Sequence, residues 1–176
     1  MIMNPTYTFT FTLITQDNFA SLQPLLLSWF NMPHVEQWWP VPKDNEAFFE
    51  SFLKRIRSDA RPYLVLCNSS PIGYIQTYTI DTATTHAWLP KLPGTLIGID
   101  QFIGEPDYLH KGFGTLFIKE FIKQLENTDK NITVIVDPEP INLAAIRCYE
   151  KIGFKKIGEY QAPWGPALLM IYNKNN

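Results

Sequence analysis

The sequence has few cysteines, no excess of basic residues and no long apolar run. Its 176 residues contain two cysteines, Cys67 and Cys148, too few for a disulfide scaffold and at no zinc-ligand spacing, so we expect no metal site and two buried core thiols. Fifteen Lys and Arg against seventeen Asp and Glu give a formal charge of −2, which argues against binding nucleic acid or an anionic membrane through bulk charge. No run approaches the roughly 18 apolar residues of a membrane span, and no signal-peptide pattern opens the chain. We therefore expect a cytoplasmic protein.

The composition that is present predicts one folded domain over residues 1–176. The chain is 45% apolar and 18% charged, so it has enough apolar surface to bury and no excess of like charge to keep it unfolded. Its aromatic content is 14%, with five Trp, eight Tyr and twelve Phe. Aromatic faces commonly line pockets for rings and sugars, so we expect a small-molecule partner recognised by local groups.

Hydrophobic periodicity predicts an alternation of strands and helices. The predicted elements are a strand over 7–13, a helix capped by Asp17 that Pro24 kinks or interrupts, helices over 34–39 and 45–56, strands over 61–67 and 72–80, a long loop over 81–93, a strand over 95–103, a helix over 115–126, a strand over 131–136, a helix over 142–151 capped by Asn142 and ended by Gly153, and strands over 155–160 and 167–172. This order predicts an α/β fold with a mixed central sheet, antiparallel in its first half and parallel where helices cross between strands, flanked by helices.

A glycine turn joins the predicted strand 95–103 to the helix after it. Residues 109–115 read Leu-His-Lys-Gly-Phe-Gly-Thr, and their backbone N–H groups, together with the positive end of a helix dipole, suit an anion such as a pyrophosphate. The turn is too short for a Walker loop and lacks the first glycine of a dinucleotide fingerprint, which argues against ATP and NAD. Without further support, a tight turn with glycines at positive φ explains the segment equally well.

A second motif points to a family. Residues 142–154 read Asn-Leu-Ala-Ala-Ile-Arg-Cys-Tyr-Glu-Lys-Ile-Gly-Phe, and this stretch combined with the glycine turn resembles the GCN5-related N-acetyltransferases, which transfer an acetyl group from acetyl-CoA to an amine. The resemblance covers nearly the whole chain and implies their GNAT fold. It departs from the family at Leu109 and His110, where Arg or Gln and then Gly are usual.

The resemblance also implies a cofactor site for acetyl-CoA. The turn would bind the CoA pyrophosphate, the end of the strand 95–103 would pair with the pantetheine arm, and Asn142 would hydrogen-bond that arm. Tyr149 would stand near the thioester sulfur and protonate the departing thiolate, although an ordinary core tyrosine is the alternative. The implied cofactor-binding residues are Phe102, Ile103, Leu109, His110, Lys111, Gly112, Phe113, Gly114, Thr115, Asn142 and Ala145.

Several shorter blocks are similar to the aminoglycoside 6'-N-acetyltransferases. These blocks are His34-Val-Glu-Gln-Trp-Trp39, Pro62-Tyr63, residues 73–78, residues 98–101 and residues 137–151. By this resemblance Asp100 would accept the proton of the attacking amine and Asp137 would bind cationic amino groups. The implied acceptor-binding residues are Trp38, Trp39, Tyr63, Gln76, Tyr78, Trp88, Asp100, Asp137 and Trp164. At two positions where members of that branch carry an acid, this chain has Thr85 and Trp164.

The chemistry of amine acylation supports Asp100 independently. An alkylamine resembles Lys, with a pKa near 10.4, and attacks a thioester only when neutral, so a carboxylate must take its proton. Asp100 ends an apolar run in which an unpaired carboxylate would be costly to bury, and a salt bridge to one of the five arginines is the alternative. Asp137 is equally well explained as a loop aspartate before proline. We expect His34 to be a packing residue, and one of Trp38 and Trp39 to be core, because neighbouring helix positions face different directions.

Two other functions remain open at the level of sequence. Siderophore hydroxylamine acyltransferases share an H-V-x-x-(F/W)-W block and a G-x-D strand, and a non-catalytic acyl-CoA sensor would keep the cofactor site without turnover. The presence of both Asp100 and Tyr149 argues against the sensor. The sequence is compatible with a monomer or a homodimer.

Overall fold

The computed structural model describes residues 7–173. Within that range the strands are β1 (Phe9–Leu13), β2 (Arg61–Cys67), β3 (Ser70–Thr79), β4 (Thr95–Ile103), β5 (Ile132–Val136), β6 (Lys155–Ala162) and β7 (Gly165–Tyr172), and the helices are α1 (Gln16–Phe30), α2 (Pro33–Glu36), α3 (Asn45–Arg57), α4 (Phe113–Thr128) and α5 (Leu143–Ile152). A short 3₁₀ turn covers Pro106–Tyr108. The predicted order of elements is confirmed, and the predicted single domain over 1–176 also includes residues 1–6 and 174–176, which lie outside the described residues.

The first helix has a different cap from the predicted one, and of the two predicted effects of Pro24, a kink or an interruption, the interruption does not occur. Its N-cap is Thr15, whose backbone N–H donates to Asn18 Oδ1 at 2.8 Å, so Asp17 lies inside the first turn and is not the cap. Pro24 does not interrupt α1, although an internal proline costs about 3 kcal/mol. Tertiary packing offsets that cost, because the helix buries four large apolar side chains on both sides of the proline: Phe19, Leu26, Trp29 and Phe30.

The seven strands form one mixed sheet in the order β1-β2-β3-β4-β5-β7-β6. β2 and β3 are joined by Asn68 and Ser69, both at positive φ, a two-residue connection that requires antiparallel strands. β4 and β5 run parallel from Thr95 opposite Ile132 to Gly98 opposite Ile135, and β7 runs antiparallel to β5 and β6. The predicted mixed α/β sheet, with its parallel pair after the antiparallel strands, is therefore confirmed.

The chain divides into two compact units. Unit 1 comprises residues up to Gln76 together with Gln101–Gly112, and unit 2 comprises Thr77–Asp100 together with the chain from Phe113 onward. The core of unit 1 is largely aromatic, with neighbouring ring centroids 4.5–6.3 Å apart. Its central rings are those of Phe19, Phe30, Phe48, Phe52 and Tyr74. Much of the high aromatic content therefore forms a core and not a ligand pocket.

Unit 2 is built on the buried strand β5 and the helices α4 and α5. All five residues of β5 are buried, as expected for a strand covered on both faces. α4 buries Phe113, Phe117 and Phe121, and α5 buries Ile146, Tyr149 and Ile152. Among the described residues, no helix is both long and apolar enough to cross a membrane.

Candidate active site

The glycine turn has an unusual backbone. His110 has φ 59° and Gly112 has φ 85°, and α4 begins directly afterwards at Phe113. Histidine is among the residues that tolerate the left-handed region, so His110 adopts a conformation that glycine adopts without strain. His110, Lys111 and Gly112 are exposed, and within residues 7–173 no atom outside Gly112 and its two chain neighbours lies within 4 Å of the position a Cβ would take at Gly112. There is thus open space at Gly112, directly before the N–H groups of the first turn of α4, where an anion could lie.

The ends of α5 are those that the sequence predicts. Asn142 Oδ1 accepts from the backbone N–H of Ala145 at 3.1 Å, and Gly153 ends the helix at φ 115°. Asn142 is therefore a helix cap, and the predicted bond to a pantetheine arm would use its amide N–H groups. Tyr149 lies on the buried side of α5, with its ring centroid 5.4 Å from that of Phe154.

One of the two thiols differs from its prediction. Cys67 is buried, whereas Cys148 is only partly buried. The Cys148 thiol lies 3.4 Å from the hydroxyl of Thr115, in the first turn of α4. Burial still raises the pKa of the Cys148 thiol, and Thr115 and Lys151 oppose this shift. The expectation of two core thiols is wrong for Cys148.

The register of the parallel strands brings two carboxylates together. β4 and β5 pair as far as Gly98 opposite Ile135, and Asp100 and Asp137 each follow two residues later. Because β4 and β5 are parallel neighbours, residues the same distance beyond this pair lie side by side, which brings the two carboxylates close together. Their proximity is also apparent in the electrostatics, since Asp100 is a cause of the raised pKa of Asp137.

The carboxyl group of Asp137 has a strongly raised pKa. Burial, and then the negative charge of Asp100, raise its pKa to about 7, against an opposing hydrogen bond that the Trp164 indole N–H donates to its carboxylate. The carboxylate therefore changes charge near neutral pH. The sequence offered no means of choosing between a loop aspartate and a functional one, and this environment is the feature that distinguishes them.

Tyr78 lies against the same pair. Its hydroxyl donates a hydrogen bond to Asp100, and burial together with the charges of Asp100, Asp137 and Tyr149 holds the pKa of this phenol well above its usual value. The predicted residues Asp100, Asp137, Tyr78 and Tyr149 are thus brought together in unit 2.

An aromatic wall of three residues adjoins the carboxylates: His86, Trp88 and Trp164. The Trp164 ring centroid lies 5.8 Å from that of Trp88 and 6.3 Å from that of His86, and Trp164 is 59% exposed. The Trp88 Nε1 atom is buried and has no hydrogen-bond partner within residues 7–173. Sequence reasoning missed His86, since a single histidine in a polar loop carries no signal; it stacks on Tyr78 at 5.9 Å, and Thr85 bonds its Nδ1 at 2.9 Å.

Unit 1 holds a second group of predicted residues. Trp39 packs on the aromatic core, 5.5 Å from Phe30, while Trp38 is 37% exposed, so the prediction that one of the two tryptophans is core is confirmed. Gln76 is buried, and its Oε1 accepts from Arg55 and from the Tyr74 hydroxyl. The Arg55 guanidinium also lies 4.8 Å from the Trp39 ring centroid. Tyr63 is half-buried on β2.

The end of β4 is held by a histidine. His34 Nε2 lies 2.9 Å from the carbonyl oxygen of Ile103, and because a carbonyl only accepts, the ring donates from Nε2. This hydrogen bond gives His34 a structural partner, and its assignment as a packing residue stays a prediction. Phe102 and Ile103 are half-buried, and a pantetheine arm pairing there would meet an Ile103 carbonyl that already has a partner. Within residues 7–173, no three acidic, histidine or cysteine side chains are grouped to hold a metal ion.

The chain is similar to known acetyltransferases. Residues 22–162 match the family described as an acetyltransferase (GNAT) domain. Aminoglycoside N(6')-acetyltransferase type 1 of Klebsiella pneumoniae is 32% identical over 181 residues, covering 99% of this chain and 87% of the relative. A kanamycin resistance protein of Rhizobium radiobacter is 40% identical over 87 residues, covering 49% of this chain and 81% of its own. A crystal structure of an aminoglycoside acetyltransferase with coenzyme A and kanamycin has a TM-score of 0.76 at 31% identity, with 96% of each chain covered.

Proposed function

This chain belongs to the GNAT acetyltransferase family, and on that premise we propose that it transfers the acetyl group of acetyl-CoA to the 6'-amino group of an aminoglycoside. The name of the Klebsiella relative and the kanamycin bound in the similar crystal structure support this class of acceptor. The observation that carries the proposal is the pair formed by Asp100 and Asp137 beside an aromatic wall. A carboxylate pair attracts an ammonium group, and indole faces suit a sugar ring.

Each step of the proton chemistry has a candidate residue. Acetyl-CoA supplies a thioester whose carbonyl carbon the amine attacks, with formation of a C–N bond and loss of the thiolate. Asp100 takes the proton that the amine must lose, and Asp137 holds a second ammonium group of the acceptor. Tyr149 gives its phenol proton to the thiolate, which a group with a pKa about 10 can do within hydrogen-bond reach.

The residues of the glycine turn fit the pyrophosphate of CoA. The exposed segment His110–Gly112 and the first turn of α4 offer backbone N–H donors, and Lys111 adds a charge. Leu109 offers no side-chain donor, so affinity depends on the backbone and on Lys111. Asn142, Ala145, Phe102 and Ile103 complete the proposed cofactor contacts. Trp38, Tyr63, Gln76, Trp88 and Trp164 are the proposed contacts of the acceptor, whereas Trp39, which the resemblance also implied, belongs to the core of unit 1.

The setting of the enzyme is part of the proposal. Two cysteines without a disulfide suit a reducing cytoplasm, where acetyl-CoA is available. The near-neutral charge of −2 favours a small-molecule partner over nucleic acid. We assign one acetyltransferase domain to the chain, as a monomer or a homodimer.

The direct test is release of free thiol from acetyl-CoA. We expect the purified protein to release thiol when kanamycin-type or tobramycin-type amines are added, measured with a thiol reagent. A matched pair of aminoglycosides that carry either an amino group or a hydroxyl at the 6' carbon tests the position, and only the amine should support turnover. Turnover with hydroxylamines alone would contradict the proposal and favour the siderophore acyltransferases, and binding of acetyl-CoA without any turnover would favour the sensor.

The role of Tyr149 has its own test. Tyr149→Phe should lower kcat by roughly 10²-fold, the lower end of the usual contribution of a general acid, because the thiolate loses its proton donor. The dissociation constant of acetyl-CoA should change little. Tyr172→Phe is a matched control, since Tyr172 also packs on Phe154 but is no cause of the altered pKa of Tyr78. A wild-type rate for Tyr149→Phe would mean that water donates the proton.

A further inference from the structure

Gly98 and Tyr78 form a close contact that the proposed chemistry does not explain. Gly98 is a buried residue of β4, and a Cβ built on it would overlap Cε2 and Cζ of the Tyr78 ring and lie 2.8 Å from the phenol oxygen. The ring therefore lies directly against the backbone of β4 at this residue. No side chain larger than a hydrogen atom fits beneath it.

The contact determines where the phenol points. Gly98 and Asp100 are two residues apart on β4, so they share a face of the strand. A ring that crosses β4 at Gly98 carries its hydroxyl to Asp100, to which it donates a hydrogen bond. The space left by Gly98 and the hydrogen bond to Asp100 thus belong to one arrangement.

Other titratable and charged groups face this arrangement. Asp137 follows β5 and Tyr149 lies on α5, and both act electrostatically on Tyr78. His86 stacks on the Tyr78 ring from the loop after β3, at 5.9 Å. Two carboxylates thus share one region of unit 2. Each accepts a hydrogen bond, Asp100 from Tyr78 and Asp137 from Trp164, so these donors and burial together determine which carboxylate carries the charge.

We propose that Tyr78 is a positioning residue for Asp100, and that Gly98 is required because it leaves the space through which the phenol reaches that carboxylate. The proposal rests on the proposed function, in which Asp100 receives the proton of the amine. The hydrogen bond fixes the orientation of the carboxylate that receives the proton of the amine. It also stabilises the ionised form of Asp100 against the nearby charge of Asp137. When the two carboxyl groups hold one proton between them, that proton is therefore on Asp137, and Asp100 remains able to act as a base.

The decisive measurement is the titration of the Asp100 side-chain carboxyl by ¹³C NMR in the protein without substrate. Tyr78→Phe keeps the ring and removes the donor, so the titration midpoint of Asp100 should rise by about one pH unit. The measurement is repeated in an Asp137→Asn background, in which a single carboxylate of the pair titrates. Tyr74→Phe is the matched control: it removes a buried hydroxyl on the same strand that bonds Gln76, and the midpoint should not move.

Gly98→Ala tests the same hydrogen bond by changing the strand residue beneath the Tyr78 ring and leaving the tyrosine in place. The added methyl group should displace the phenol and raise the Asp100 midpoint in the same direction. Combined with Tyr78→Phe it should add nothing further, because both changes remove one interaction. Gly158→Ala, in the edge strand β6, controls for adding a methyl group to a strand glycine. Thermal melting checks that each variant folds. If Gly98→Ala does not fold, the titration of Tyr78→Phe by itself still tests the proposal.

The kinetic readout separates this proposal from the proposed function. In Tyr78→Phe, kcat should fall about 10-fold. In the Asp137→Asn background, where the titration of Asp137 near pH 7 no longer shapes the profile, the acid limb of kcat should move to higher pH by the same amount as the NMR midpoint. An unchanged Asp100 midpoint in Tyr78→Phe, or an equal shift in Tyr74→Phe, would overturn the positioning role even if aminoglycosides are acetylated. A shifted midpoint in a protein that acetylates no amine would leave the Tyr78–Asp100 arrangement intact and contradict the proposed function alone.

Discussion

Asp100→Asn should lower kcat by about 10²–10⁴-fold, which is the usual contribution of a general base. The amide cannot take a proton from an ammonium group, and the acceptor then reacts only through its small neutral fraction. The dissociation constant of acetyl-CoA should stay within about twofold, since the proposed cofactor contacts of the glycine turn are untouched. Steady-state kinetics with a 6'-amino acceptor and calorimetric binding of acetyl-CoA measure the two quantities.

The same substitution has a second expected consequence. Asp100 is a cause of the raised pKa of Asp137, so its neutralisation should lower that pKa and leave Asp137 more fully ionised at pH 6. The KM for a cationic acceptor at pH 6 should therefore decrease or stay unchanged, although kcat is strongly lowered. Asp17→Asn, on an exposed residue of α1, should change neither quantity. An unchanged kcat in Asp100→Asn would remove this residue from the chemistry.

Asp137→Asn should separate binding from stability. It removes a carboxylate proposed to hold an ammonium group, so the KM for the acceptor should rise by about 10²-fold at pH 8, the order expected for truncating one partner of a desolvated charge pair, with a smaller change in kcat. In the wild type the KM should fall as pH rises through about 7, because Asp137 gains its charge there. In Asp137→Asn that pH dependence should be absent.

The free protein should become more stable in the same variant. The folded pKa of Asp137 is about 7, above the ordinary 3.8, so the folded state holds a proton that the unfolded state has released between these values. The contribution of Asp137 to stability therefore falls as pH rises from about 4 to 7, by up to about 2–4 kcal/mol, and Asp137→Asn avoids this loss. Its Tm should exceed that of the wild type by about 5 °C or more at pH 8 and by little at pH 4.

A neighbouring carboxylate provides the comparison. Glu139 is exposed in the same segment after β5, and Glu139→Gln should leave both the Tm and the KM near their wild-type values. Equal melting temperatures of wild type and Asp137→Asn at pH 8 would mean that Asp137 is ionised in the fold without penalty. The gain in stability with a loss of acceptor binding would identify Asp137 as a residue kept for function.

The sequence alone determined the order of the elements and the two motifs that mark the family. Period-2 alternation in β1, the apolar run of β5 and the cap and glycine at the ends of α5 are local signals, and local signals can be read without tertiary structure. Local signals did not determine whether helix α1 continues past Pro24, because the cost of the proline is offset by buried side chains that contact distant residues.

Only the tertiary structure decided which carboxylates meet and what surrounds them. The parallel register that sets Gly98 opposite Ile135 brings Asp100 to Asp137, although they are far apart in the chain, and a shift of one residue would turn a side chain to the other face. The raised pKa of Asp137, the Trp164 donor beside it, and the reach of Tyr78 across Gly98 all follow from that register. Residue types and spacing determine what chemistry a chain offers, whereas burial and charge proximity, which decide how that chemistry is tuned, depend on contacts that exist only in the folded protein.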